Sequence, residues 1–137
     1  MKSVTSYFRR SDLLLIVASI CGVALYVMVA KGGFPLDDSW IHQVYGRNLA
    51  QTGKWAFVPD VPSAASTSPL YTVLLALGYK LNLPFKVWTY FLGILALSIT
   101  GMIGARLSER LLPKQRHAGL TGGSVQVIAW HLVWAAA

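Results

Sequence analysis

The chain has 137 residues, of which 55% are hydrophobic and only 12% charged, with a mean hydropathy of +0.53. Soluble domains carry about 25% charged residues, so the composition argues against an ordinary soluble domain and for an integral membrane protein. The formal charge of +7 comes from basic residues that flank apolar runs. No basic-aromatic nucleic-acid module is legible, so the implied partner is the anionic membrane surface and not nucleic acid.

In chain order, a basic start (Lys2, Arg9, Arg10) leads into an apolar run at residues 13–30. That run has the length of a span and is long for a signal-peptide core. No small-x-small cleavage site follows it, so it is predicted to be an uncleaved first transmembrane helix. Cys21 lies inside the run and is the only cysteine, which excludes an internal disulfide. After Pro35, a helix is predicted at about 38–52. Asp37 or Asp38 is its expected N-cap, Trp40, Ile41, Val44, Tyr45 and Leu49 form its apolar face, and Gly53 is its stop. Residues 58–70, rich in proline and serine, read as loop. Residues 69–81 are too short to span and predict a second amphipathic helix lying in the interface. A second span is placed at about 87–107, since residues 87–105 carry no charge. The small residues Gly93, Ala96, Thr100 and Gly104 on it suit close helix packing. A third span is expected at about 122–137, and because it ends abruptly the chain reads as the front part of something longer. The fold class is therefore an all-α membrane protein, read as one transmembrane segment over 1–137. Dense basic patches precede the first span and follow the second at 106–116. Both are expected to be cytoplasmic, which leaves residues 31–86 on the exterior face.

The adjacent acids Asp37 and Asp38 are out of keeping with their apolar, basic surroundings. They suit the positive end of a helix dipole. A carboxylate at the bilayer edge can also act as general base toward a hydroxyl, or help to hold a divalent cation. His42, four residues after Asp38, faces the same side of the helix and reads either as a site residue or as a partly solvated interfacial histidine. Arg47, expected near that surface, could fork onto phosphate oxygens or sit among lipid headgroups. Lys54, Lys80 and Lys86 read as headgroup contacts. Ser66, Thr67 and Ser68 before Pro69 would cap the following helix, and could also present hydroxyls and backbone N–H groups to an anion. His131 reads as a packed polar residue of the last span. No metal-ligand spacing, Gly-rich phosphate loop or serine triad is legible.

The order of these features resembles the N-terminal part of the GT-C-fold membrane glycosyltransferases. It is most similar to bacterial transferases related to the arabinofuranosyltransferases, and more distantly to protein O-mannosyltransferases. The resemblance rests on "LDDSW", "VYGRNLAQTGKW" and "SAASTSPLYTVLLALGYKL". It implies that Asp37 and Asp38 match the acidic motif of the first exterior loop, where one acid serves as catalytic base. Tyr45, Arg47 and Asn48 match a Tyr-x-Arg-Asn element, and Thr67, Ser68 and Pro69 match the turn into the second short helix. The implied donor is a sugar on a polyprenyl phosphate, delivered to an acceptor hydroxyl on the exterior face of the bacterial plasma membrane. A divalent metal is an open question. The chain departs from the pattern where relatives often carry "NPGE" and this sequence has "VPDVP", with Asp60 in that context. The competing expectation is a small non-catalytic transmembrane subunit that packs into a larger complex.

Overall fold

The computed structural model describes residues 9–30, 33–34, 37–114 and 118–135, except for the side chains of Asp37 and of residues 129–135. The described chain is mostly helical. Its elements are α1 (Arg10–Val29), α2 (Asp37–Thr52), β1 (Ala56–Val58), β2 (Val61–Pro62), α3 (Pro69–Lys80), α4 (Phe85–Leu111) and α5 (Ala118–Ala135). Among them α1 and α4 are long and apolar enough to cross a membrane. At about 1.5 Å per residue, the 12 residues of α3 reach only about 18 Å. The chain divides into two compact units, residues 30–91 and the remainder.

In the unit formed by 30–91, the short elements follow from local chemistry. α2 ends where Gly53 takes φ +71°, a left-handed conformation that glycine adopts without a Cβ clash. α3 starts with Pro69 in its first turn and Ser68 as N-cap. It closes in a Schellman arrangement, in which the Asn82 N–H donates to the Tyr79 carbonyl and the Leu83 N–H to that of Gly78. Asn82 supplies the required positive φ of 54°, and Pro84 prevents continuation. The stretch expected to be loop at 58–70 takes part in a small antiparallel hairpin that begins at Ala56, with Ala56 opposite Pro62 and Val58 opposite Val61 across an irregularity. Pro59 followed by Asp60 at φ 66° has the pattern of a type II turn. The prolines masked this hairpin because it is only a few residues long and lies at an edge, where a missing N–H costs little.

α2 and α3 pack against each other through unexpected faces. Of the predicted apolar face of α2 only Tyr45 is buried: Trp40 is 45% exposed, and Ile41, Val44 and Leu49 are half-buried. Buried beside Tyr45 are His42, Gln43, Gly46 and Asn48. Gly46 permits the approach, since a Cβ there would meet Leu75 Cβ at 3.0 Å and the Ala76 nitrogen at 3.2 Å. α3 likewise buries Thr72, Leu75, Ala76 and Gly78 and leaves Leu70, Val73, Leu74 and Leu77 outside.

The other unit is built of long apolar helices. α1 starts with its Asp12 carboxylate accepting from the Arg9 backbone N–H at 2.9 Å, the acidic half of a capping box. Leu15, Ala105 and Val127 form the buried cluster, with Met102 against it. Gly123 meets the Gly101 carbonyl and Leu15, and Gly122 lies against Ser108. The small-residue face of α4 that is used is therefore Gly101, Gly104, Ala105 and Ser108. Of the expected set only Gly104 is engaged: a Cβ at Gly93 would meet nothing within 4 Å among the described residues, and Ala96 and Thr100 are exposed. Two ion pairs join the start of α1 to the end of α4, Arg106 to Asp12 at 2.8 Å and Arg9 to Glu109 at 2.6 Å. The predicted third span at 122–137 is the helix Ala118–Ala135, with residues 136–137 outside the description.

Candidate functional site

The acids lie at the start of α2. The helix begins at Asp37, so both occupy its first turn and neither precedes it as the expected N-cap. Acids here still favour the helix through its dipole. Asp38 is exposed and makes no hydrogen bond or ion pair among the described residues. The Asp37 side chain lies outside the described residues.

His42, one turn further on, is 7% exposed and not an interfacial, solvated ring. Its Nδ1 lies 3.0 Å from Ser66 Oγ and 3.4 Å from Thr72 Oγ1, and these two hydroxyls are 2.7 Å apart. Tyr71 meets the imidazole edge-on at 5.8 Å between ring centres. Burial holds the Tyr71 phenol above its ordinary pKa, against a smaller opposing effect of a hydrogen bond with Thr89. Ser66 thus turns inward to the imidazole and does not cap α3. Ser68, the actual N-cap residue, makes no side-chain cap bond, and Thr67 and Ser68 are exposed.

Tyr45 and Asn48 serve the fold. Tyr45 is fully buried, with its hydroxyl 2.6 Å from Ser63 Oγ and accepting from the Ala65 N–H at 3.0 Å. The Asn48 amide nitrogen donates to the Ala56 and Phe57 carbonyls, both at 2.9 Å, and so holds the hairpin against α2. Lys54 pairs with Asp60 at 2.6 Å, and its hydrogen bond, together with its charge, holds the exposed Asp60 carboxyl below its usual pKa.

Arg47 is exposed but does not share the surface of Asp38 and His42. Nine residues at about 100° each carry it to the opposite side of α2 from Asp38. There its charge acts on Tyr79, whose phenol is raised by burial and partly lowered again by Arg47. The Tyr79 hydroxyl donates to Gln43 Oε1 at 2.8 Å, and Gln43 Nε2 donates to Thr89 Oγ1 at 2.6 Å. Sequence reasoning missed Gln43, Tyr71, Thr72, Tyr79 and Thr89. The signal was present in α2, where His42, Gln43 and Gly46 lie within about 100° of one another and give a polar and small face that an apolar-face search passes over. His131 has no described side chain. Among the described residues, no group of three or more His, Cys, Asp or Glu converges as a metal site would require.

The arrangement offers an exposed carboxylate at a helix start, a hydroxyl-oriented imidazole on the same helix and a guanidinium on the helix's far side. Comparison with protein-family models, curated proteins and solved structures found no match.

Proposed function

We propose that this chain is the N-terminal segment of a polytopic membrane glycosyltransferase of the GT-C type. α1 and α4 cross the membrane, with both basic flanks cytoplasmic, and α2, α3 and the hairpin lie at the exterior face. The observation that carries the reading is a pair of short helices between two span-length helices, with adjacent acids in the first turn of the helix that follows α1. Three further facts support it. The ion pairs bring the start of α1 and the end of α4 together, as a two-span hairpin requires. α3 is too short to cross and would otherwise reverse that topology. α3 exposes Leu70, Val73, Leu74 and Leu77 and α2 exposes Trp40, apolar surface of the kind a helix seated in a membrane interface presents.

In this reading Asp37 or Asp38 removes the proton of the acceptor hydroxyl, and the donor is a sugar on a polyprenyl phosphate. Arg47 lies on the opposite side of α2 from Asp38, so it contacts the donor phosphate only if the lipid passes around that helix. In membranes from cells expressing the protein, sugar transfer from polyprenyl-phosphate donors should fall about a hundredfold in Asp37→Asn or Asp38→Asn, the scale of general-base loss. Transfer at the wild-type rate in both variants would reduce the acids to dipole partners. Topology has its own test in a Cys21→Ser background: an impermeant thiol reagent should label a cysteine at Asp60 but not one at Gln115, and labelling of both would overturn the two-span arrangement.

The second reading is a non-catalytic membrane subunit. It is favoured by Gly93, Ala96 and Thr100, a small-residue face of α4 with no close neighbour at Gly93 and exposed side chains at the other two. Stoichiometric co-purification with other membrane proteins would select it.

A further inference from the structure

We propose that the last turns of α4 carry a binding groove for one anionic phospholipid of the cytoplasmic leaflet. The proposal rests on the reading that α4 crosses the membrane. A groove of about 480 Å³ is lined, among the described residues, by Ile99, Met102, Ile103, Arg106, Leu107 and Arg110. These positions recur at helical spacing on a single face. Ile99, Met102 and Ile103 come first, and Arg106 and Arg110, one turn apart with Leu107 between them, lie in the last turns, where the helix would reach the headgroup level.

The charges around the groove select an anion. Glu109 is taken up by Arg9, and buried Asp12 by one guanidinium nitrogen of Arg106. Arg110 makes no hydrogen bond or ion pair among the described residues, and exposed Lys114 follows shortly. The carboxylates nearby are thus already matched, and the local surplus is positive. A phosphate diester at this height can accept from the Arg110 fork, while its acyl chain lies along Ile103 and Ile99, which are 62% and 44% exposed. A helix of another protein would fill the apolar part but leave the Arg110 charge unmatched, and free phosphate would leave the apolar part bare. A phospholipid satisfies both.

The test is native mass spectrometry of the purified full chain, released from micelles containing equal phosphatidylglycerol and phosphatidylcholine. Wild type should retain phosphatidylglycerol preferentially. Arg110→Gln should reduce that preference about fivefold, the size of one basic contact at an anionic surface. Ile103→Trp, which fills the groove without touching charge, should reduce retention of both lipids, with unchanged helix content by circular dichroism as the folding control. Added inorganic phosphate should displace nothing. Equal retention of the two lipids by wild type, a preference untouched by Arg110→Gln, displacement by inorganic phosphate alone, or a lipid-free dimer would each overturn the proposal. Flotation with phosphatidylcholine vesicles separates the two claims: a chain that fails to float defeats the membrane reading, and one that floats without phosphatidylglycerol preference defeats only the groove.

Discussion

Gly46 and Gly123 perform the same task in two chemically different interiors. Each is the point where a Cβ would strike another helix: Gly46 against α3 in the 30–91 unit, and Gly123 against Gly101 and Leu15 among the long helices. The unit around Gly46 also buries polar side chains that bond one another, with His42, Ser66 and Thr72 in one set and Gln43, Tyr79 and Thr89 in another. Around Gly123 the buried partners are aliphatic and small, and ionic chemistry is confined to one end, at Asp12–Arg106 and Arg9–Glu109. Both units turn large apolar side chains outward and bury others, Tyr45 and Leu75 in the first and Leu15, Ala105 and Val127 in the second. Beside that burial, the first adds hydrogen bonds between side chains and the second adds close glycine contacts between helices. Hydrogen-bonded contacts are directional, whereas glycine contacts depend on shape.

The largest test of this contrast is steric. Gly46→Leu and Gly123→Leu should each destabilise the protein by about 3 kcal/mol or more, because the atoms they meet include backbone that cannot yield. Denaturation followed by circular dichroism in detergent measures this, and tolerance of both within about 1 kcal/mol would show that close approach closes neither unit.

A smaller test is polar. Thr72→Val keeps shape but leaves Ser66 and His42 short of a partner, at a cost of about 1–2 kcal/mol. Ser98 gives the counter-case among the long helices: its buried hydroxyl has no partner among the described residues. Ser98→Ala should therefore be neutral or stabilising by up to about 1 kcal/mol. Equal losses from the two substitutions, measured in the same denaturation series, would erase the distinction between the interiors.

The ionic end ranks next. Asp12 has a side chain 3% exposed, while that of Arg106 is 40% exposed. Asp12→Asn should cost about 1 kcal/mol, well below the loss on breaking a fully buried pair, because solvent reaches the arginine. A melting temperature insensitive to this change would remove the pair from the account of how α1 and α4 are joined.

The smallest effect is electrostatic. Arg47→Ala should move the Tyr79 phenol further above its ordinary value, since burial raises it and the Arg47 charge opposes that rise. Alkaline absorbance titration, with Tyr79→Phe to assign the signal, reads the shift, and no change would place Arg47 elsewhere. The sign carries over to stability. An acid whose folded pKa lies above its unfolded value binds the proton more tightly when folded, so this contribution is lost as pH rises past about 10.

The helices were legible because their boundaries are local: Pro69, Gly53 and the uncharged run at 87–105 each act within a few residues. The interior of the 30–91 unit was not legible, because His42 and Ser66 lie 24 residues apart and Gln43 and Thr89 lie 46 apart, and polar residues carry no pattern that announces such pairs. The face of α2 was misassigned because, of its apolar stripe, only Tyr45 is buried, beside the polar His42, Gln43 and Asn48. The placement of Arg47 beside Asp38 failed on helix arithmetic alone.

The Asp12–Arg106 pair also has a consequence for the order of events during synthesis. Its partners are 94 residues apart, so Asp12 leaves the ribosome well before the arginine that covers it. At about 5–20 residues per second, that interval is roughly 5–20 s. During it the carboxylate has only the Arg9 backbone N–H at its own helix start, and water completes its shell. Burial of Asp12 is therefore a late step, completed only when the end of α4 arrives. Damage to Arg106 should leave early placement of α1 intact and show instead as a nascent chain whose first and fourth helices fail to close.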